Sequence, residues 1–255
     1  MKKLTLLSLL IFASAATALA QGGDDYHKWD FYGGYSWGRM ESNVNDAAFT
    51  VGGGGGTQTF TNLCSPATGQ QIGPNSQKFF CTRRSFNGVE GSVTYNVSKY
   101  VGIQGDVSGH FKSESFVDVF TPPGATQTLA NEEKLWQFLG GIQIKNNKRD
   151  ARLKPFARAL IGFARYTNNQ AQTIDIFPQF NFTIEDRETS LALKVGGGLD
   201  VRVGRRVDIR LIQADYNPVF VGDRNPRPVS GPFTSVALGG RTAHNFTIGF
   251  GVVIH

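Results

Sequence analysis

Eight charged side chains lie in segments of the sequence where apolar residues alternate with small or polar ones. They are four carboxylates and four cations, all on the polar face of their segments: Glu90, Asp106, Arg158, Lys194, Asp200, Arg202, Asp208 and Arg210. Charges that line a water-filled path conduct ions, whereas charges packed in an enclosed interior must pair with one another. We expect a paired network, in which Arg158 or Lys194 contacts Glu90 or Asp106.

Histidine and serine are the candidates for acid–base and nucleophilic chemistry. Of the four histidines, His27, His110, His244 and His255, only His110 has a suggestive neighbour. Ser108 precedes it by two residues, which places both on one face of a strand, as a nucleophile and its base require. An enclosed interior would keep that pair away from a lipid substrate. We therefore expect no enzymatic activity, no metal site and no cofactor.

The two cysteines, Cys64 and Cys81, both fall in one long polar connection. The segment between them contains no histidine that could complete a metal site, and an exported chain meets an oxidising compartment, so we expect a disulfide. Closing a loop of about 16 residues stabilises a chain by roughly 3 kcal/mol in the chain-entropy model.

The N-terminus has the pattern of a secretory signal. Lys2 and Lys3 precede an apolar stretch that reaches Ala13, and the small residues Ala18-Leu19-Ala20 suit a cleavage site. We expect a signal peptide over residues 1–20.

Composition limits the remaining classes of protein. The formal net charge is +6 and the basic residues are dispersed, which argues against nucleic-acid binding. The chain has no apolar run of about 18 residues, so we expect no membrane-spanning helix. We expect a short N-terminal segment over residues 21–28 and one all-β domain over residues 29–255.

Eight segments of about ten residues alternate with a period of two, which no helix gives. In the first, Trp29, Phe31, Gly33, Tyr35 and Trp37 share one face. The segments lie at 29–37, 87–97, 101–111, 136–144, 157–164, 191–203, 207–216 and 245–254.

These segments predict an eight-stranded antiparallel up-and-down transmembrane β-barrel, because a bilayer requires every backbone N–H and C=O to be paired within the protein. Apolar residues then face lipid, and the charges face an interior only wide enough for side chains. Aromatic residues near strand ends favour interfacial girdles over carbohydrate stacking. The girdle candidates are Trp29, Tyr35, Trp37, Trp136 and Phe163.

The connections between the segments alternate between long and short. The long ones cover roughly residues 38–84, 112–133, 167–188 and 217–242. Outer-membrane barrels keep short turns in the periplasm and long loops outside, so we expect four extracellular loops and periplasmic termini. Residues 115–120 and 173–184 still alternate, which indicates strands that continue above the membrane.

The seventh segment leaves two possibilities. Val207, Ile209 and Leu211 face outward, but the same parity places Gln213 and Asp215 outward too. Either the strand leaves the bilayer there or a bulge exchanges its faces. We favour the first, because Pro218 is expected to end the pairing.

The sequence resembles the OmpA-like eight-stranded outer-membrane barrel domain over nearly its whole mature length. The likeness is carried by Trp29-Asp30-Phe31-Tyr32-Gly33-Gly34-Tyr35, by Lys154-Pro155-Phe156 and by the closing segment from Asn245 to Ile254. The chain departs from the family in ending with His255 instead of an aromatic residue. The resemblance implies a structural anchor, an adhesin or a surface-recognition protein, and only rarely an enzyme.

We therefore expect a small protein of the cell outer membrane in a Gram-negative-type envelope. Its expected partners are outer-membrane lipid, the barrel-insertion machinery and an extracellular partner that binds the loops, above all the loop with the two cysteines. The alternatives are a narrow pore or transporter, a barrel enzyme that modifies lipid A, and a soluble lipocalin-like barrel.

Overall fold

The computed structural model describes residues 26–41, 47–53, 56–60, 83–120, 125–175, 181–223, 225–230 and 233–255. The predicted signal peptide and the predicted Cys64–Cys81 disulfide lie outside these residues. None of the described segments is a helix long and apolar enough to cross a membrane.

The described residues form twelve β-strands. In chain order they are β1 (Trp29–Met40), β2 (Ala47–Gly53), β3 (Gly56–Phe60), β4 (Arg84–Asn96), β5 (Val101–Phe120), β6 (Ala125–Lys145), β7 (Leu153–Ile174), β8 (Phe182–Arg202), β9 (Val207–Val221), β10 (Arg227–Ser230), β11 (Phe233–Leu238) and β12 (Arg241–Ile254).

Eight of these strands close into an antiparallel barrel, in the order β1-β4-β5-β6-β7-β8-β9-β12. The ring closes where β1 pairs with β12, from Phe31 opposite Ile254 to Arg39 opposite Phe246. Each of these eight strands therefore has a hydrogen-bonded neighbour on both sides, and the predicted eight-stranded fold is confirmed.

Two of the predicted long loops are largely strand. β5 and β6 stay paired up to Phe120 opposite Ala125, and β7 and β8 up to Gln172 opposite Phe182. The predicted loops 112–133 and 167–188 were therefore too long. Most of their outward residues are polar, but the backbone keeps its strand pairing beyond the apolar part of the barrel, as the alternation over residues 115–120 and 173–184 predicted.

The other two long connections carry additional short strands. β2 pairs with β3 and with β11 in a separate three-stranded sheet, which joins residues of the predicted loops 38–84 and 217–242. β10 pairs with the first residues of β8.

A bulge in β9 corrects the prediction for the seventh segment. Leu211 and Ile212 are 56% and 50% exposed, so both point outward, and the pairing with β12 shifts by one residue between Gly249 and Gly251. The parity change turns Gln213 and Asp215 inward. The strand does not end before Pro218, because β9 runs to Val221.

The two faces of the barrel have opposite chemistry. Apolar residues of the outer face, such as Ile142 and Val195, are about half exposed, whereas Lys194 and Asp200 on the inner face are fully buried. Trp136 lies on the outer face and packs edge-on against Phe111, with ring centroids 5.4 Å apart. The other four girdle candidates, Trp29, Tyr35, Trp37 and Phe163, share outward parity with it.

Candidate functional site

Arg158 lies at the centre of the barrel interior, bound to three carboxylates from three other strands. Its Nη2 donates to Glu90 Oε1 at 2.6 Å and its Nη1 to Asp106 Oδ2 at 3.0 Å. Asp215 accepts from both Nε, at 3.0 Å, and Nη2, at 2.7 Å. This forked contact is the strong, geometrically specific form of an arginine–carboxylate pair.

A glycine allows Arg158 and Asp215 to meet. Gly196 of β8 lies directly between them in the cross-strand register, opposite Arg158 on β7 and opposite Asp215 on β9. A Cβ atom on Gly196 would collide with the Asp215 carboxylate and with the backbone of β9. The absent side chain leaves the space in which two residues of non-adjacent strands form their ion pair.

Lys194 adds a second cation to this central cluster. Its Nζ lies 2.7 Å from Asp106 Oδ1 and 3.8 Å from Glu90 Oε2. The Gln213 amide donates to Glu90 Oε1 at 2.8 Å and to Asp215 Oδ2 at 3.0 Å. The predicted neighbours of Arg158 and Lys194 are thus brought together, and all of these side chains are buried.

Arg210 connects the central cluster to a second one, nearer the short turns. Its guanidinium donates to both oxygens of Asp200, at 2.8 and 3.1 Å, and to Gln213 Oε1 at 2.6 Å. It also lies between the rings of Tyr32 and Phe156, 4.1 Å from each centroid. This combines carboxylate pairing with cation–π contact on both faces of the guanidinium.

Two lysines complete this lower cluster. Lys145 Nζ lies 2.8 Å from Asp30 and 3.1 Å from Asp200, and Lys154 Nζ lies 2.8 Å from Asp208. Both lysines are buried and sit at the strand ends closest to the short turns. They close the interior at that end of the barrel.

The C-terminal residue joins the same cluster. His255 Nδ1 lies 2.7 Å from Asp30 and its Nε2 lies 2.7 Å from Asp208, so the ring bridges β1 and β9. Burial lowers the pKa of His255, but the hydrogen bonds with Asp208 and Asp30 outweigh burial and raise it above the usual 6.5. The ring of His27 stacks on it at 4.3 Å, and burial followed by the charge of His255 lowers the pKa of His27 to about 4.

Together the two clusters are close to neutral. Their six carboxylates are Asp30, Glu90, Asp106, Asp200, Asp208 and Asp215, and their five cations are Lys145, Lys154, Arg158, Lys194 and Arg210. A protonated His255 balances the remaining negative charge. The arrangement can therefore be buried without an unpaired charge, which an enclosed interior requires.

An apolar layer fills the interior on the other side of the central cluster, toward the long connections. It consists of Met40, Phe86, Leu135, Leu139, Leu160, Ala164, Ala192, Val219 and Ala243. Beyond this layer Arg84 pairs with Glu133, which also accepts a hydrogen bond from Tyr166. The expectation of a polar interior was therefore incomplete, because these nine inward residues are apolar, although the buried polar pair of Gln137 and Asn217 lies beside them.

The serine and histidine candidates are not arranged as nucleophile and base. His110 Nε2 lies 3.0 Å from Ser36 Oγ, whereas Ser108 Oγ donates to Gln137 Oε1 at 3.2 Å. His244 points outward against Tyr216. Within the described segments, no group of His, Cys, Asp and Glu side chains could hold a metal ion.

Of the eight charged candidates, only Arg202 stays outside the buried network. It lies at the end of β8, where it is half-buried and its guanidinium donates to the Arg149 carbonyl. The alternation places the Arg202 side chain on the inner face. Because the barrel ends at this level, its guanidinium lies at the rim.

Sequence reasoning missed five members of the network: Asp30, Lys145, Lys154, Asp215 and His255. Asp30 lies on the inner face of the first segment. Lys145 lies one residue after the predicted fourth segment and Lys154 three residues before the predicted fifth, so continuing the alternation would have placed both lysines inward. Asp215 was placed on the wrong face because of the bulge. One further step of the alternation in β12 also places His255 inward, but the alternation does not show that its ring bridges Asp30 and Asp208.

No family model matches the sequence, and no curated protein matches it. The fold is similar to several solved structures. Ail, the attachment invasion locus protein of Yersinia pestis, is 11% identical over 89% of this chain and 97% of its own, with a TM-score of 0.43. The outer membrane protein OprG from Pseudomonas aeruginosa is 13% identical over 89% and 95%, with a TM-score of 0.42. The outer membrane protease OmpT from Escherichia coli is 9% identical over 89% and 95%, with a TM-score of 0.48.

Proposed function

We propose that this chain is an integral outer-membrane protein of the OmpA-like kind, whose closed barrel supports the envelope and presents a recognition surface outside the cell. The observation that carries the proposal is the inversion of the usual soluble arrangement, with charges buried inside and apolar side chains outside. Soluble proteins expose contiguous apolar patches of at most a few hundred Å². An apolar face around a whole barrel is stable when hydrocarbon covers it.

The lengths of the connections support an orientation. Three turns, between β4 and β5, β6 and β7, and β8 and β9, are short, and both termini of the barrel lie at the same end as these turns. In outer-membrane barrels this end faces the periplasm. The long strand extensions would then project from the cell.

The extensions of β5 to β8 are the best-supported recognition surface in the described residues. Beyond the apolar face, β5 and β6 continue together from Ser113 opposite Glu132 to Phe120 opposite Ala125. Eight further residues at about 3.4 Å each give roughly 27 Å of paired strand. Such a sheet offers a fixed, mainly polar surface with the exposed Val117 on it, whereas an unpaired loop would lose conformational entropy on binding.

A closed interior argues for an anchor or recognition protein over a pore. Both charged clusters are fully ion-paired, and the apolar layer separates them from the long connections. In planar bilayers the purified barrel is expected to show no stable single-channel conductance. Sustained, ion-selective openings would support the pore alternative and contradict this part of the proposal.

The experiment that tests both roles shortens one hairpin. Residues 114–131 are replaced by Asn-Gly, a sequence that favours a two-residue turn, so that Ser113 and Glu132 end their strands as a tight hairpin. The barrel residues are unchanged, so heat-modifiable gel migration should persist. The variant is expressed in a strain that lacks the full-length protein and is compared with the full-length protein.

The two roles give different results. A structural role requires the shortened barrel to restore resistance of the envelope to detergent. A recognition role requires it to lose adhesion to immobilised extracellular-matrix proteins and glycans. The proposal is wrong if removal of the entire protein changes neither envelope resistance nor adhesion.

A further inference from the structure

The outer face of the barrel contains an open groove of about 470 Å³ across β6, β7 and β8. It is lined by Trp136, Phe138, Phe163, Arg165 and Thr189. The rings of Phe138 and Phe163 stack with centroids 5.3 Å apart and form the apolar wall. The groove opens sideways, in the direction that the outward apolar residues face.

The cross-strand register places this groove at the boundary between apolar and polar surface. Phe138 lies opposite Phe163, which lies opposite Leu191. Two residues further along the strands toward the long connections, Arg165 lies between Trp136 and Thr189. The apolar part of the groove therefore belongs to the apolar outer face of the barrel, and its polar edge lies on the side of the long connections.

Three cations lie along this polar edge. Arg165 is exposed and forms no salt bridge with the part of the chain that the structure describes. Lys134 on β6 and Arg187 on β8 lie two residues further along the strands, on either side of Thr167. Their carboxylate neighbours lie on the side away from the groove, Glu132 at 2.7 Å from Lys134 and Glu185 at 3.2 Å from Arg187.

We propose that this groove binds one phosphorylated, multiply acylated lipid of the outer leaflet, with an acyl chain against Phe138 and Phe163 and a phosphate on Arg165. The assignment depends on the membrane orientation proposed above. A guanidinium recognises phosphate oxygens through two parallel hydrogen bonds. Lys134 and Arg187 place further N–H donors beside it, although Glu132 and Glu185 offset their charge.

The shape and position of the groove favour a lipid over a protein segment. Its apolar wall lies in the belt that hydrocarbon would cover, so a water-soluble partner could not reach it. Its cations lie at the level where lipid phosphates would begin. An amphiphile with apolar chains and an anionic head matches both parts at once, and lipid A is the outer-leaflet lipid with this chemistry.

Native mass spectrometry of the detergent-purified full-length protein tests the inference. Purified lipid A is added to the delipidated barrel, and the bound fraction is compared for the wild type, Arg165→Ala, Arg165→Lys and Arg39→Ala. Arg39 is the matched control, since it is another exposed outward arginine, two residues beyond Trp37 on β1. Dephosphorylated lipid A and phosphatidylglycerol are the comparison lipids.

Arg165→Ala should weaken lipid A binding about tenfold or more, which corresponds to loss of a charge-assisted hydrogen bond. Arg165→Lys should retain part of the binding, and Arg39→Ala should retain nearly all of it. Dephosphorylated lipid A should bind weakly and equally to all variants. Equal losses in Arg165→Ala and Arg39→Ala, or equal binding of lipid A and phosphatidylglycerol, would overturn the inference.

Failure of this inference can be separated from failure of the proposed function. The same preparations are tested for heat-modifiable migration and for insertion into lipid vesicles. A wild-type protein that folds in water and does not enter vesicles contradicts the membrane assignment. A protein that inserts normally but binds lipid A without regard to Arg165 contradicts only the lipid site.

Discussion

Arg158 has the most extensive set of ion pairs in the barrel. Its contacts reach Glu90 on β4, Asp106 on β5 and Asp215 on β9, so one side chain of β7 connects opposite sides of the wall. Charges in such an enclosed space interact strongly because little water screens them. The same lack of water makes loss of one partner costly, because the remaining charges stay buried.

Arg158→Met is therefore expected to destabilise the barrel by about 3–5 kcal/mol, the usual cost of leaving buried carboxylates unpaired. The measurement is the free energy of unfolding by urea in lipid vesicles. Arg202→Met is the control, because Arg202 lies at the rim, and it should cost less than about 1 kcal/mol. Similar losses in the two variants would show that the interior is open to water.

His255 is expected to make stability depend on pH. Its folded-state pKa is raised above 6.5, so its contribution is complete below pH 6.5 and is lost as pH rises through the raised value. The difference in unfolding free energy between the parent and His255→Gln should therefore be largest at low pH.

This comparison is best made in a His27→Asn background. The pKa of His27 is lowered to about 4, so His27 adds an opposite effect, a loss of stability as pH falls below 6.5. A difference that grows with rising pH would contradict the bridge from His255 to Asp30 and Asp208.

At the scale of the element, the bulge in β9 decides which residues enter the interior. Leu211 and Ile212 occupy two consecutive outward positions, and the residues after them have the opposite parity. If the same residues alternated regularly, without the bulge, Gln213 and Asp215 would point to the apolar outer face and Arg158 would lose its forked partner. The bulge thus places Gln213 and Asp215 inside the barrel, where they bind the buried charged residues.

Deletion of both Leu211 and Ile212 is expected to prevent folding, because Gln213 then directly follows the inward Arg210 and the alternation turns Gln213 and Asp215 to the outer face. Ile212→Ala keeps the residue count and should fold. Heat-modifiable migration on gels distinguishes the two outcomes. A folded deletion variant with normal stability would mean that the parity of β9 is not set by the bulge.

The eight barrel strands could be predicted from the sequence because a period of two is a direct consequence of strand geometry. The parity of Glu90, Asp106, Arg158 and Lys194 followed from the same pattern. The outward parity of Gln213 and Asp215 raised a bulge in β9 as one of two possibilities, but the sequence could not decide for it, since an extra residue leaves the local composition unchanged. The contact between Arg158 and Asp215 across Gly196 also required the register of three strands, which no single segment contains.

At the scale of the whole molecule, the interior is built in layers along the barrel axis. A lower cluster closed by Lys145, Lys154 and His255 is followed by the central cluster around Arg158, and then by the apolar layer. Each layer fills the cross-section, as expected for a barrel of eight strands. The outer face is apolar at these levels and mainly polar beyond them, so the barrel has one apolar belt, which the proposed function places in hydrocarbon.

Nitroxide accessibility tests this central assignment most directly. Spin labels are placed at Ile142 and Val195 of the proposed belt and at Lys134 beyond it, in a Cys64→Ser and Cys81→Ser background reconstituted in vesicles. Labels at Ile142 and Val195 are expected to collide with membrane-dissolved oxygen and to be shielded from a water-soluble nickel complex, with the reverse at Lys134. If the labels at Ile142 and Val195 collide with the nickel complex as readily as the label at Lys134, the apolar belt does not face hydrocarbon.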